Sequence, residues 1–218
     1  MAGTDWVELA RYVARARPDI SSSVTHWTRA NGKRTAFENL INMINMNMII
    51  ASRPETGFIK GKHSATCFSE APVAVMARVF RIAESDNQTR NYVNWEPYGL
   101  SFLKPVIYSY YNGRPVIYFS NDEYKNTIEL KGLTPELGWR VVAFDQATYE
   151  SGIEAIDWTH EREWRVRGDV DFGELKGLDR PLAVVRTTQD QTELLRLFPD
   201  DNNRPICGVL NTQDIILT

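Results

Sequence analysis

Apolar and polar positions change period several times along this chain, and each change marks an element. Between residues 5 and 17, Trp6, Leu9, Ala10 and Val13 recur on one helical face, and Pro18 ends the segment. A second stripe of Phe37, Leu40, Ile41, Ile44 and Met48 predicts a helix running to about Ser52. Thr35, with Glu38 three residues later, makes a capping box at its start. Pro72 to Ala83 reads as a third helix with proline near its first position, and 189–197 as a fourth. Short apolar or alternating runs predict strands at Val24–Thr28, Ala65–Ser69, Tyr98–Lys104, Val106–Tyr110, Pro115–Phe119, Leu182–Arg186 and Ile206–Leu210. Asn112-Gly113 is a hairpin signal between two of these runs. Pro54, Gly57 and Gly61 make Arg53 to Lys62 a loop, the span 84–96 is polar, and 134–150 has no clear period. No repeat or linker interrupts the order. The expectation is one α+β domain over residues 1–218 with a mixed, mostly antiparallel sheet flanked by helices, residues 1–22 being an N-terminal helical extension.

Composition narrows the class. A chain of 218 residues, 43% hydrophobic and 24% charged, has the balance of a globular protein with a sizeable core. The net charge of −3 implies no polyanion partner by itself. Six basic residues (Arg29, Lys33, Arg34, Arg53, Lys60 and Lys62) nevertheless face only Glu38 and Glu55 between positions 29 and 62, a local excess suited to phosphate. Cys67 and Cys207 sit in apolar runs and read as buried small residues. Three histidines without CxxC or HExxH do not suggest zinc. The start of the chain is polar-interrupted, and no apolar run reaches the roughly 20 residues that span a bilayer. The expectation is a cytoplasmic protein with no membrane partner.

The stretch Asp157-Trp158-Thr159-His160-Glu161-Arg162-Glu163-Trp164-Arg165-Val166 carries the most chemistry. Read as a strand over 161–166, it puts Glu161, Glu163 and Arg165 on one face and Arg162, Trp164 and Val166 on the other. Two carboxylates side by side repel, and burial penalises both, so the pair is costly for stability alone. The plainer reading is a solvated edge strand on which Arg165 pairs a glutamate.

Chain order then connects distant features. His26 lies in Thr-His-Trp-Thr, Arg53 in Ala-Ser-Arg-Pro, Ser69 in Cys-Phe-Ser-Glu-Ala-Pro, and Glu161 and Glu163 in the late Glu-x-Glu. With the "YGLSFLK", "GRPVIYF" and "HEREWRV" strands, this set resembles the ADP-ribosyltransferase fold, with its split β-sheet, over residues from about 24 to 210. The likeness is greatest to AbiGi-type abortive-infection proteins and more distant to DarT-type DNA ADP-ribosyltransferases. The resemblance implies NAD as substrate. Glu163 would stabilise the oxocarbenium, and Glu161 would orient or deprotonate the acceptor. His26 would hold a ribose hydroxyl, supported by Thr28. Arg53 would meet the pyrophosphate, and Ser69 would bond the glutamate or the nicotinamide ribose. Tyr98 or Phe102 would stack on nicotinamide.

Three functions follow as expectations. The first is a mono-ADP-ribosyltransferase acting in phage defence or as a toxin, with DNA or RNA as acceptor and an antitoxin as possible partner. The second is an NAD glycohydrolase that depletes NAD. The third is a non-enzymatic relative that binds a nucleotide or partner, as an antitoxin or sensor does.

Overall fold

In the computed structural model, residues 20–56, 59–85, 95–124, 135–145, 157–199 and 204–215 are described. The expected helix at 5–17 lies outside them, as does most of the 84–96 span. The strands are β1 Ser23–Trp27, β2 Met48–Ile49, β3 Ala65–Phe68, β4 Gly99–Leu103, β5 Arg114–Pro115, β6 Ile117–Phe119, β7 Val141–Ala143, β8 Trp164–Arg167, β9 Val170–Asp171, β10 Leu182–Val185 and β11 Gly208–Asn211. The helices are α1 Ala36–Met46, α2 Val73–Ser85, α3 Lys104–Ser109, α4 Asn121–Tyr124, α5 Thr188–Leu197 and α6 Thr212–Ile215. The α+β class is therefore as expected.

The chain divides into two compact units. The first comprises Met1–Met48, Glu70–Val106 and Asp171–Thr218, and the second Ile49–Ser69 and Ile107–Val170. In the first unit a four-stranded sheet runs in the order β1-β4-β10-β11. The first two pairings are antiparallel, and β10 with β11 is parallel. Trp27, Ala71, Met76, Phe80 and Val184 form a core cluster here, with the Trp27 and Phe80 rings edge to face. In the second unit β3, β8 and β5 make an antiparallel sheet, and β6 pairs in parallel with β7. Ile59, Ala65 and Trp139 pack together in this unit, so part of the Arg53 to Lys62 loop contributes to a core.

Local sequence explains most elements. The Thr35 capping box opens α1, with Glu38 Oε2 accepting from the Thr35 amide at 2.7 Å. The helix stops six residues before Ser52 because Asn47 turns left-handed, with φ of 52°, and its amide closes the last turn. Thr187 and Asp190 cap α5 in the same reciprocal way as Thr35 and Glu38.

Two strand expectations fail. Val106–Tyr110 belongs mostly to helix α3, whose second residue, Pro105, needs no amide partner there. Such a short apolar run has no period that separates helix from strand. Asn112, with φ of 54°, and Gly113 then leave that helix instead of joining two strands, the Gly113 amide donating to the Ile107 carbonyl at 2.7 Å. The strand expected over 161–166 begins only at Trp164. Asp157 Oδ1 accepts from both the amide and hydroxyl of Thr159, favouring a tight 3-10 turn over Thr159–Glu161. Arg162 then reverses into the left-handed region, with φ of 47°.

Candidate active site at the β3 and β8 pair

In the second unit, β3 and β8 lie antiparallel, with Cys67 opposite Arg165 and Phe68 opposite Trp164. That register brings the serine that follows β3 beside the glutamates that precede β8. The Ser69 hydroxyl donates to the Glu161 main-chain carbonyl at 3.0 Å, and Ser69 is buried. Glu163 and Glu161 do not alternate along one strand, because the left-handed Arg162 separates a turn from a strand. Their charges still fall on the same neighbours. Burial pushes the Cys67 thiol well up, and the carboxylates of Glu163 and, more weakly, Glu161 push it further. The Tyr118 hydroxyl is raised to about 12, first by burial and then by the charges of Glu163, Glu161 and Asp157, against a lowering contact to the Glu163 backbone.

Arg165 is the buried centre of this cluster. It is 3% exposed. Its Nε donates to Glu163 Oε1 at 2.7 Å, and its Nη2 reaches Glu163 Oε2 at 3.3 Å. Nη1 donates to the carbonyls of Trp139 and Val141, tying β8 to the start of β7. Burial works against the guanidinium charge, but the facing Glu163 carboxylate and the Cys67 sulfur together outweigh it and raise the Arg165 pKa. The Glu163 side chain retains 11% exposure. Each carboxylate oxygen has two lone pairs, so the ion pair leaves acceptor capacity for a substrate hydroxyl.

No protein family, curated protein or solved structure matches this chain. The geometry of its own residues is therefore what bears on function.

The remaining sequence candidates divide between the units. Arg53 is exposed in the second unit, in the loop ahead of β3. His26, Thr28, Tyr98 and Phe102 belong to the first. His26 is partly buried on the edge strand β1, opposite Leu100. The Thr28 amide donates to the Tyr98 carbonyl at 2.8 Å. Phe102 is fully buried and packs edge to face on Phe172, with ring centres 5.9 Å apart. Tyr98 packs on Phe37 and donates its hydroxyl to Asp190 at 3.2 Å. Burial, and then the Asp190 charge, raise its pKa. Both rings are core elements, which removes them as stacking platforms for nicotinamide.

Other expectations change too. Cys207 is exposed, not buried. The basic run 29–62 is shared between the units, and Lys62 is 2.6 Å from Glu136. Tyr118 and Arg165 are central to the cluster, yet sequence reasoning gave neither a site role. The pairing of Arg165 with a glutamate is the plainer expectation from sequence and is seen at Glu163, but on the buried middle strand of a sheet and not on a solvated edge; Tyr118 had no signal. Among the described residues, no helix is long and apolar enough to cross a membrane.

Proposed function

We propose that this chain cleaves the nicotinamide–ribose bond of NAD and transfers ADP-ribose to a nucleic acid. The observation that carries the reading is the Ser69 hydroxyl bound to the Glu161 carbonyl, with Glu163 two residues further on. It supports the resemblance by joining its middle serine element to its late glutamate element.

In this reading the glycosidic bond breaks and its electron pair leaves on the nicotinamide nitrogen. Positive charge grows on the ribose. Glu163 stabilises that charge and accepts a ribose hydroxyl, while Arg165 keeps the carboxylate fixed in place. Glu161 accepts the proton that the acceptor nitrogen or oxygen loses as it attacks the ribose carbon. Ser69 positions the turn that holds Glu161. The planar fork of Arg53 suits the pyrophosphate. His26 and Thr28 as ribose contacts, the phage-defence setting and an antitoxin partner rest on the resemblance alone.

A second reading has its own observation. Arg165 joins Glu163 to the carbonyls of Trp139 and Val141, which is also what a purely structural clamp would do.

Incubation with NAD alone, and then with added DNA or RNA, separates the readings. Nicotinamide release that requires nucleic acid, with label transferred to it, supports transfer. Release without acceptor points to hydrolysis. No release under any condition leaves the clamp.

A further inference from the structure

The end of α3 and the turn after it present aromatic and basic side chains that the chemistry above does not use. Tyr108 is 49% and Tyr110 61% exposed. Tyr110 and Tyr111 meet edge to face with ring centres 4.9 Å apart. The Arg114 guanidinium lies 3.9 Å from the centre of the Tyr108 ring. Its Nη1 donates to the carbonyls of Tyr108 and Gly113. Arg140 donates Nε and Nη2 to the Pro115 carbonyl. Burial and then the positive charge of Arg114 lower the Arg140 pKa. Among the described residues, neither arginine is in an ion pair with a carboxylate. Two guanidinium groups are thus bonded to main-chain carbonyls around Gly113 and Pro115. Beside them are Tyr110, which is open to solvent, and Tyr108, which Arg114 covers on one face and which is otherwise half exposed.

That pairing selects a class of ligand. Uncompensated guanidinium groups attract phosphate, and open aromatic faces stack on bases. A duplex offers phosphates but keeps its bases stacked inside. An acidic protein segment offers charge but no planar faces. We infer that this surface binds single-stranded nucleic acid, with backbone phosphates on Arg114 and Arg140 and bases against Tyr108 and Tyr110.

The position adds to this. Arg114 lies opposite Arg165 in the β5 and β8 pairing, and the Val116 amide donates to the Glu163 carbonyl at 3.0 Å. A strand held here runs beside the candidate catalytic glutamate. The surface therefore rests on the transfer reading only in naming its acceptor as single-stranded; binding itself does not require that reading.

The test uses the full chain and fluorescein-labelled oligothymidine of about 20 nucleotides, with a duplex of equal length, read by anisotropy across a salt series. The single strand should bind at least about tenfold tighter than the duplex, because only its bases are free to stack. Arg114→Gln with Arg140→Gln should weaken binding about tenfold or more and flatten the logarithmic salt slope by about 0.7 for each phosphate no longer neutralised. Replacing both arginines by lysine should keep the slope, which separates the effect of charge from that of a disturbed turn. Tyr110→Ser should weaken binding several-fold and leave the slope unchanged. Duplex preference, unchanged affinity in Tyr110→Ser and the double glutamine variant, or equal displacement by a polyglutamate peptide would overturn the inference. Nicotinamide release from NAD is followed in the same samples. Oligonucleotide binding without release under any condition removes the transfer reading and keeps this one. Release without such binding does the reverse.

Discussion

The Arg165 guanidinium grips both oxygens of the Glu163 carboxylate, at 2.7 and 3.3 Å, from a position almost closed to solvent. Removing the carboxylate strands a buried positive charge. Glu163→Gln should therefore destabilise the protein by about 3 kcal/mol, measured by urea denaturation. Adding Arg165→Met should recover most of that loss, since a buried ion pair is often replaceable by apolar volume. Under the transfer reading, the double variant is folded but slower in nicotinamide release by at least about 100-fold. Wild-type turnover in the stable double variant would exclude Glu163 from catalysis.

Glu161 has a different expected phenotype. Its proposed partner is the acceptor, and Ser69 binds its main chain and not its carboxylate. Glu161→Gln should reduce acceptor labelling more than release of nicotinamide into water. Equal loss of both activities would place the Glu161 carboxylate at the ribose instead.

Tyr98→Phe tests the reassignment of that ring to the core. The substitution keeps the packing on Phe37 and removes one hydrogen bond to Asp190. A loss of about 1 kcal/mol in stability is expected, with NAD chemistry unchanged. A change in nicotinamide release at unchanged stability would return Tyr98 to the site.

Gly113 is set by close approach. A Cβ there would lie 2.4 Å from Ile107 Cγ2 and 2.9 Å from the Ile107 carbonyl oxygen. Gly113→Ala should cost about 1–3 kcal/mol through overpacking, measured by the denaturation midpoint.

Glu136 gathers Lys62, His63 and Arg167 at the surface. Hydrogen bonds from Lys62 and then His63 hold its carboxyl at about 2, below the ordinary 4.5. A depressed carboxyl pKa stabilises the folded state above pH 4.5, and that contribution disappears as pH falls toward about 2. The stability curves of wild type and Glu136→Gln should differ above that window and converge at its acid end. The gap should be small, because exposed ion pairs are screened. A constant gap at every pH would show that Glu136 acts by something other than its charge.

Sequence patterns carried the helices better than the site. Thr35 with Glu38 is a local signal, since both partners lie within one turn, and it predicted the start of α1. The end of α1 depended on Asn47 entering the left-handed region, which the apolar stripe passing through Met48 obscured. Around Glu161 the alternating letters suggested a strand, but the Asp157 to Thr159 bonds stabilise a turn that side-chain alternation does not register. The adjacency of Ser69 and Glu161, 92 positions apart, depends on the register of β3 against β8, which no local period carries. Phe102 and Tyr98 show the opposite failure. An aromatic letter is equally compatible with core and ligand platform, and only burial by Phe172 and the bond to Asp190 separated the two.

The interleaved path of the chain has a genetic consequence. The first unit draws on three segments of sequence and the second on two. A stop codon anywhere from residue 49 to 170 deletes material from both. Neither unit can be expressed by trimming one end of the gene. Separating their roles requires point substitutions or rejoined segments, and a series of nested deletions would report the collapse of folding and nothing about which unit does the work.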